Sequence, residues 1–204
     1  MAVYQSLKEL SRDQFLNPTE CARLCSCPNK KTLLGTRDYA ILKVFLNCGL
    51  RKQELINLDV KDFCNEDNNY WLIVHGKGNT VDEQDLMNMH VIEAIKKYLA
   101  KAGHGDDPNA PLFQPLKGKN KLSTLRLNRR SVDFLIKKYS KQAQLTKSVH
   151  AHTLRHTFGT QLQSITKDVI IVQRAMRHRS LSSTMIYLHT ARDTVKNSLA
   201  ELSL

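Results

Sequence analysis

Long apolar runs are missing from this chain. None of its 204 residues fall in a run approaching the ~18 that a membrane-crossing helix requires. The first ten residues, MAVYQSLKEL, hold no apolar core of the kind a secretory signal carries. Glycine (8) and proline (5) are too few for a collagen-like chain. The five cysteines, Cys21, Cys25, Cys27, Cys48 and Cys64, are odd in number and irregularly spaced, which excludes a disulfide mini-scaffold and reads as free thiols in a reducing compartment. Cys21, Cys25 and Cys27 lack a fourth ligand at finger-like spacing, so they read as small buried side chains near a helix end rather than as a zinc site. Acidic residues are scarce in the second half. Residues 101–204 hold six, scattered without a motif, against 18 Lys and Arg. A two-metal phosphodiester chemistry, which needs clustered carboxylates, is disfavoured on that ground.

What is present is a globular composition, 41% hydrophobic and 25% charged, with enough chain for one domain with a substantial core. The formal charge is +12, and residues 1–100 balance 13 basic against 13 acidic side chains, so the whole excess lies in the second half. A one-sided excess of this kind suits a polyanion, nucleic acid before an anionic membrane. Its densest stretch is 117–147, with ten basic residues and one acid, Asp133. Within it Val132, Leu135, Ile136, Tyr139 and Ala143 mark the buried stripe of a helix, while Lys137, Lys138 and Lys141 fall off that stripe. The expected DNA-facing set is Lys117, Lys119, Lys121, Arg126, Arg129, Arg130, Lys137, Lys138 and Lys141.

Along the chain, residues 1–16 read as a lead-in. Asn17-Pro18-Thr19-Glu20 has the chemistry of a helix start, and that helix should fade by Cys27-Pro28. Thr36 is expected to cap a second, deeply buried helix that stops at Gly49, followed by a short helix through Glu54 and Leu55. Tyr70 to His75 is the strongest strand signal, with turn chemistry at Gly76-Lys77-Gly78-Asn79 and a second strand expected over 84–90. Helical spacing returns at 91–101. From His152 onward the pattern is helical: Leu154, Phe158 and Leu162, then Val169, Val172 and Met176, then Leu181, Met185 and Leu188, and last an amphipathic segment with Val195, Leu199 and Leu202.

A phosphodiester can be cut without metal if the protein supplies a nucleophile, a cationic cage for the developing charge and a proton donor for the leaving oxygen. The chain holds such an ordered set. It comprises Gly49-Leu50-Arg51-Lys52-Gln53-Glu54-Leu55, a strand ending in Gly76-Lys77-Gly78-Asn79, His152-Thr153-Leu154-Arg155-His156-Thr157-Phe158, His178 before Arg179-Ser180, and Tyr187. His150, His152 and His156 do not read as zinc ligands, since no metalloprotease Glu stands among them and Arg155 would repel a dication.

In these motifs, their order and their spacing, the chain from about Asn17 onward resembles the tyrosine recombinases, the phage integrase family. The resemblance implies a fold that is mainly α with a small antiparallel β-sheet, the DNA breaking-rejoining catalytic domain, over residues 17–204. It implies that Tyr187 attacks the scissile phosphate to give a 3′-phosphotyrosyl bond. Arg51 and Arg155 would grip the non-bridging oxygens, with His178 adding a hydrogen bond. His152 would assist proton removal from the tyrosine, and Lys77 would protonate the leaving 5′-oxygen. Glu54 is expected to be structural. No metal, ATP or other cofactor enters this chemistry. The partners implied are double-stranded DNA, further copies of the chain in a synaptic tetramer, and accessory DNA-bending proteins, in the cytoplasm of a bacterial, phage or mobile-element host. Residues 193–204 have the pattern of a helix that either packs on its own domain or is exchanged with a neighbouring protomer.

Three features depart from the family pattern. The segment after Lys77 is acidic, at Asp82, Glu83 and Asp85. Arg177 stands where the family usually has glycine, and is expected to touch DNA. Most members carry an N-terminal core-binding domain that the sixteen lead-in residues cannot supply, so the chain reads either as the catalytic part of a longer protein or as a short member like the fimbrial phase-variation recombinases, which lack that domain. Two other functions share the scaffold: a weakened DNA-binding module, and a type IB topoisomerase-like nicking-closing enzyme.

Overall fold

The computed structural model describes residues 15–76, 81–85, 88–117 and 121–177. Helix α1 (Pro18–Ser26) starts as its sequence dictates. The Asn17 side chain accepts from the Glu20 N–H and the Glu20 carboxylate accepts from the Asn17 N–H, both at 2.8 Å. Helix α2 (Leu33–Cys48) begins a turn earlier than Thr36 suggests. Thr32 is the cap, its hydroxyl accepting from the Gly35 N–H at 3.0 Å, while the Thr36 hydroxyl donates back to the Thr32 carbonyl. The Thr36 N–H already donates to the Thr32 carbonyl within the helix, so Thr36 stands inside the first turns and not at the cap. Ala40, Ile41, Leu42, Val44 and Phe45 are all fully buried, and α2 runs through the middle of the core against helices on several sides.

Gly49 ends α2 with φ +57°, and a Cβ there would lie 2.3 Å from Phe158 Cδ1. Both the left-handed backbone and the close approach require glycine. Helix α3 (Lys52–Asn57) follows, then a single 3₁₀ turn (Val60–Asp62).

The sheet is a three-stranded antiparallel meander of β1 (Phe63–Glu66), β2 (Asn69–His75) and β3 (Val81–Asp85). Strand β1 escaped the sequence reading, although its turn is legible: Asp67 and Asn68 both have positive φ and close a two-residue hairpin between Glu66 and Asn69. Strand β3 lies at 81–85 instead of 84–90. Val81 pairs with His75 and Asp85 with Trp71, and Asn88 already caps the next helix. The acids of β3 are compatible with strand structure because β3 is the edge, with Val81, Asp82 and Glu83 exposed to water.

Helix α4 (Met89–Ala102) packs on α2. A small hairpin of β4 (Leu116–Lys117) and β5 (Lys121–Leu122) precedes α5 (Arg129–Gln142). Val132, Leu135, Ile136, Tyr139 and Ala143 are buried, as the stripe requires. Helices α6 (Ala151–Thr166) and α7 (Val169–Ala175) complete the described fold, with Phe158 and Leu162 packed on Val172 and Met176. The expected helices around Leu181 to Leu188 and over 193–204 lie outside the described residues, as does the lead-in before Phe15. No described helix is long and apolar enough to cross a membrane.

Candidate active site

The site begins at the junction of α2 and α3. Gly49 turns the chain sharply, and two residues on Arg51 becomes the N-cap of α3. The Glu54 carboxylate reaches back one turn, accepting from the Arg51 backbone N–H at 2.7 Å and from Arg51 Nη1 at 2.5 Å. Glu54 is only 4% exposed, whereas the Arg51 side chain is 47% exposed. The carboxylate thus anchors the root of the arginine and leaves much of its side chain open to solvent.

Arg155 enters from α6 and is 3% exposed. Its Nη1 donates to the Gly49 carbonyl and its Nη2 to the Met176 carbonyl, and its Nη1 lies 3.9 Å from the Glu54 carboxylate. Arg51 Nη2 donates to the next carbonyl along, that of Arg177, at 3.2 Å. The two arginines, far apart in sequence, therefore hold consecutive carbonyls of the turn that leads into His178. His178 itself, with Lys77, Tyr187 and Lys119, lies outside the described residues.

Arg177 corrects the sequence expectation. Its side chain does not face outward but is only 8% exposed, donating to Glu54 Oε2 (3.2 Å), Gln84 Oε1 (2.5 Å), the Gly49 carbonyl (3.3 Å) and the Ala175 carbonyl (3.2 Å). Its φ is +50°. That left-handed backbone gives the physical reason a glycine suits this position, and the ion pair with Glu54 is what offsets a side chain there. The contact with Gln84 also ties the acidic edge strand to the site. Sequence reasoning placed Arg177 on DNA instead of in this cluster, because a motif position does not show which way a side chain turns, and it missed Gln84, which belongs to no spaced motif.

One carboxylate is thus set among three guanidiniums. Burial pushes the Glu54 carboxyl up. The Arg51 N–H and the charges of Arg177 and Arg51 outweigh it and hold the group below the ordinary carboxylate range. Counting formal charges, the cluster keeps an excess of positive charge at a partly open surface, which is what a phosphate diester requires.

His152 is exposed at the first turn of α6, and His156 lies one turn further on. Their Nε2 atoms are 2.8 Å apart, with the rings edge to face at 86°. Burial, then Arg155 and Arg51, lower the His152 pKa. Burial, then His152 and Arg155, push that of His156 down to about 4. Both shifts favour the uncharged ring, the state a proton acceptor needs.

The expected DNA-facing residues divide into two groups. Lys117 and Lys121 pair across the β4–β5 hairpin and are exposed, as are Arg129, Arg130, Lys137 and Lys141. Lys138 is half-buried, its ammonium 4.8 Å from the Tyr139 ring centroid. Arg126 instead turns inward: Nη1 donates to the Ile56 and Leu58 carbonyls at 2.9 and 3.2 Å, and Nη2 meets Asp59 at 2.5 Å. It pins the last turn of α3 and the residues just after it, whose carbonyls have no helical partner. The lone acid of the basic stretch, Asp133, is neutralised by Lys52 at 2.7 Å.

The fold is that of tyrosine recombinase catalytic domains. It superimposes on XerH site-specific recombinase bound to palindromic difH substrate with a TM-score of 0.74 and 25% identity, over 91% of this chain and 52% of that one. The catalytic domain of bacteriophage HP1 integrase shares the fold alone, with a TM-score of 0.58 and 16% identity over 91% and 93% of the two chains. The sequence profile of the phage integrase family matches residues 14–193, and the chain belongs to that family. It is 33% identical over 190 residues to the tyrosine recombinase XerC of Pelotomaculum thermopropionicum, over 90% of this chain and 59% of that protein. It is 38% identical over 158 residues to XerC of Caldanaerobacter subterraneus subsp. tengcongensis, over 75% and 41%. The chain therefore spans about half the length of the relatives it matches.

Proposed function

We propose that the chain is the catalytic domain of a site-specific recombinase that cuts and rejoins double-stranded DNA through a 3′-phosphotyrosyl intermediate. The observation that carries this reading is the Arg51–Glu54–Arg155–Arg177 cluster, a cationic seat built from the Arg51 and Arg155 motifs and the residue before His178, with His152 close enough that Arg155 and Arg51 act on its ring. In the reaction, the Tyr187 oxygen attacks phosphorus, and the bond from phosphorus to the 5′-oxygen breaks. The phenol proton passes to His152, and Lys77 supplies a proton to the leaving 5′-oxygen. Arg51, Arg155 and His178 hold the charge that builds on the non-bridging oxygens. A tyrosine with a pKa near ~10 needs such cationic neighbours to act as a nucleophile at neutral pH. The bond energy is kept in the protein–DNA link, so rejoining needs neither ATP nor metal.

The exposed cations of the β4–β5 hairpin and α5 supply the surface that tracks the phosphate backbone. Association of several copies on DNA, exchange of residues 193–204 between them, accessory DNA-bending proteins and a bacterial cytoplasmic setting belong to the same proposal. Its support is the family relationship with bacterial XerC proteins and the DNA-bound XerH structure.

The test is cleavage of nicked duplexes carrying candidate sites, in EDTA, by the wild-type chain and Tyr187→Phe. A covalent protein–DNA adduct that the variant does not form is the expected result. Salt-sensitive binding with no adduct from the wild type would overturn the catalytic reading in favour of a DNA-binding module. Relaxation of supercoiled plasmid without exchanged products would point to nicking-closing chemistry instead.

A further inference from the structure

We propose that His156 is a positioning residue that fixes which nitrogen of His152 is free to take a proton. The inference rests on the proposed role of His152 as the proton acceptor.

The two Nε2 atoms lie 2.8 Å apart, and the ring centroids are 4.3 Å apart. Two imidazole nitrogens at that distance share one proton, because a lone pair facing a lone pair is repulsive, as is N–H facing N–H. The helix enforces the meeting, since positions i and i+4 of α6 stack on one face. Of the two arrangements, only one leaves His152 basic. If His152 donates from Nε2, its Nδ1 keeps a lone pair. If His156 donates instead, His152 must carry its proton on Nδ1 and can accept nothing there.

The first arrangement is also the one that survives the reaction. When Nδ1 takes the phenol proton, His152 becomes an imidazolium whose Nε2–H already points at the His156 lone pair. No second proton moves, and the new charge gains a charge-assisted hydrogen bond. His156 thus serves His152 as an acceptor on its far side, in the manner of the carboxylate behind the histidine of a catalytic triad, but without a charge of its own. Among the described residues, the charged groups acting on the pair are Arg155 of α6, which acts on both rings, and Arg51 at the N-cap of α3, which acts on His152. Burial and these cations together favour the uncharged rings. A carboxylate at position 156 would add a negative charge beside the cations that are to hold the phosphate. A neutral acceptor leaves those guanidiniums to the phosphate.

The test uses the full chain with 15N-labelled histidine, read by imidazole nitrogen shifts from about pH 5 to pH 8. In the wild type, His152 is expected as a single tautomer protonated at Nε2. In His156→Phe its Nδ1 and Nε2 signals should average as the ring exchanges between forms. His156→Gln, whose side-chain oxygen accepts a hydrogen bond, should restore the fixed tautomer. In the adduct assay, His156→Phe should slow cleavage by about tenfold, less than the roughly 10²–10⁴-fold that proton-transfer catalysis is worth because His152 itself remains, and His156→Gln should recover most of it. A wild-type His152 protonated at Nδ1, or a tautomer unchanged in both variants, would overturn the proposal. If His156→Phe fails to fold, the wild-type tautomer and the glutamine variant decide it. Absence of any adduct from the wild type would instead count against the recombinase reading, while the nitrogen shifts would still report on the pair.

Discussion

Arg177, at the end of α7, places Nη2 3.2 Å from the Oε2 of Glu54 on α3, joining two segments 123 residues apart in a buried ion pair. The same guanidinium reaches Gln84 on the edge strand. A single side chain therefore ties together the first arginine motif, the sheet and the turn before His178. It does so from a left-handed backbone position that is unfavourable for any residue with a Cβ.

This arrangement predicts unequal costs for two truncations. Arg177→Ala should destabilise the fold by about 3 kcal/mol, because it leaves Glu54 buried with one counter-charge fewer. Arg177→Gly removes the same charge but relieves the backbone, and should be more stable than the alanine variant by about 1 kcal/mol. Urea unfolding of the three proteins measures both differences. Equal stability of the two variants would contradict the strain argument.

Glu54 also sets an acid limb. Its carboxyl is held below the ordinary value of 4.5, so its contribution to stability is fully present above that value and is lost as pH falls through the lowered one. The unfolding midpoint of the wild type should therefore drop as pH is taken below about 4.5. Glu54→Gln should be less stable than the wild type at neutral pH and should lack that part of the acid dependence. Parallel pH curves for the two proteins would remove Glu54 from this role.

Two basic residues of the same stretch should behave differently on DNA. Lys137→Ala and Lys141→Ala, on the exposed face of α5, should each lower the salt dependence of duplex binding by about one unit of slope, with little change in stability. Arg126→Ala should leave the slope unchanged and cost stability, since its guanidinium is spent on the Ile56 and Leu58 carbonyls and on Asp59. Binding titrations across a salt series, with thermal unfolding of each variant, separate the two outcomes.

Much of this was legible before any fold was drawn. The cap at Asn17, the stop at Gly49, the strand at 70–75 and the two faces of α5 follow from local chemistry and periodicity, because caps, turns and amphipathic stripes are written in neighbouring residues. The ordered motifs around Arg51 and Arg155 identified the family. Strand β1 and the position of β3 were not legible. A four-residue strand without alternation and an edge strand full of acids take their conformation from pairing with β2.

The sequence by itself determined which residue types the site contains and which half of the chain carries the excess positive charge. Only the tertiary structure decided how they are used. It turned Arg177 and Arg126 inward, set Arg51 and Arg155 on consecutive carbonyls of one turn, and brought His156 against His152. The physical reason is that a charge in sequence has no direction. Whether a guanidinium faces a carboxylate, a carbonyl or a DNA phosphate is fixed by which elements pack around it and how much water that packing leaves.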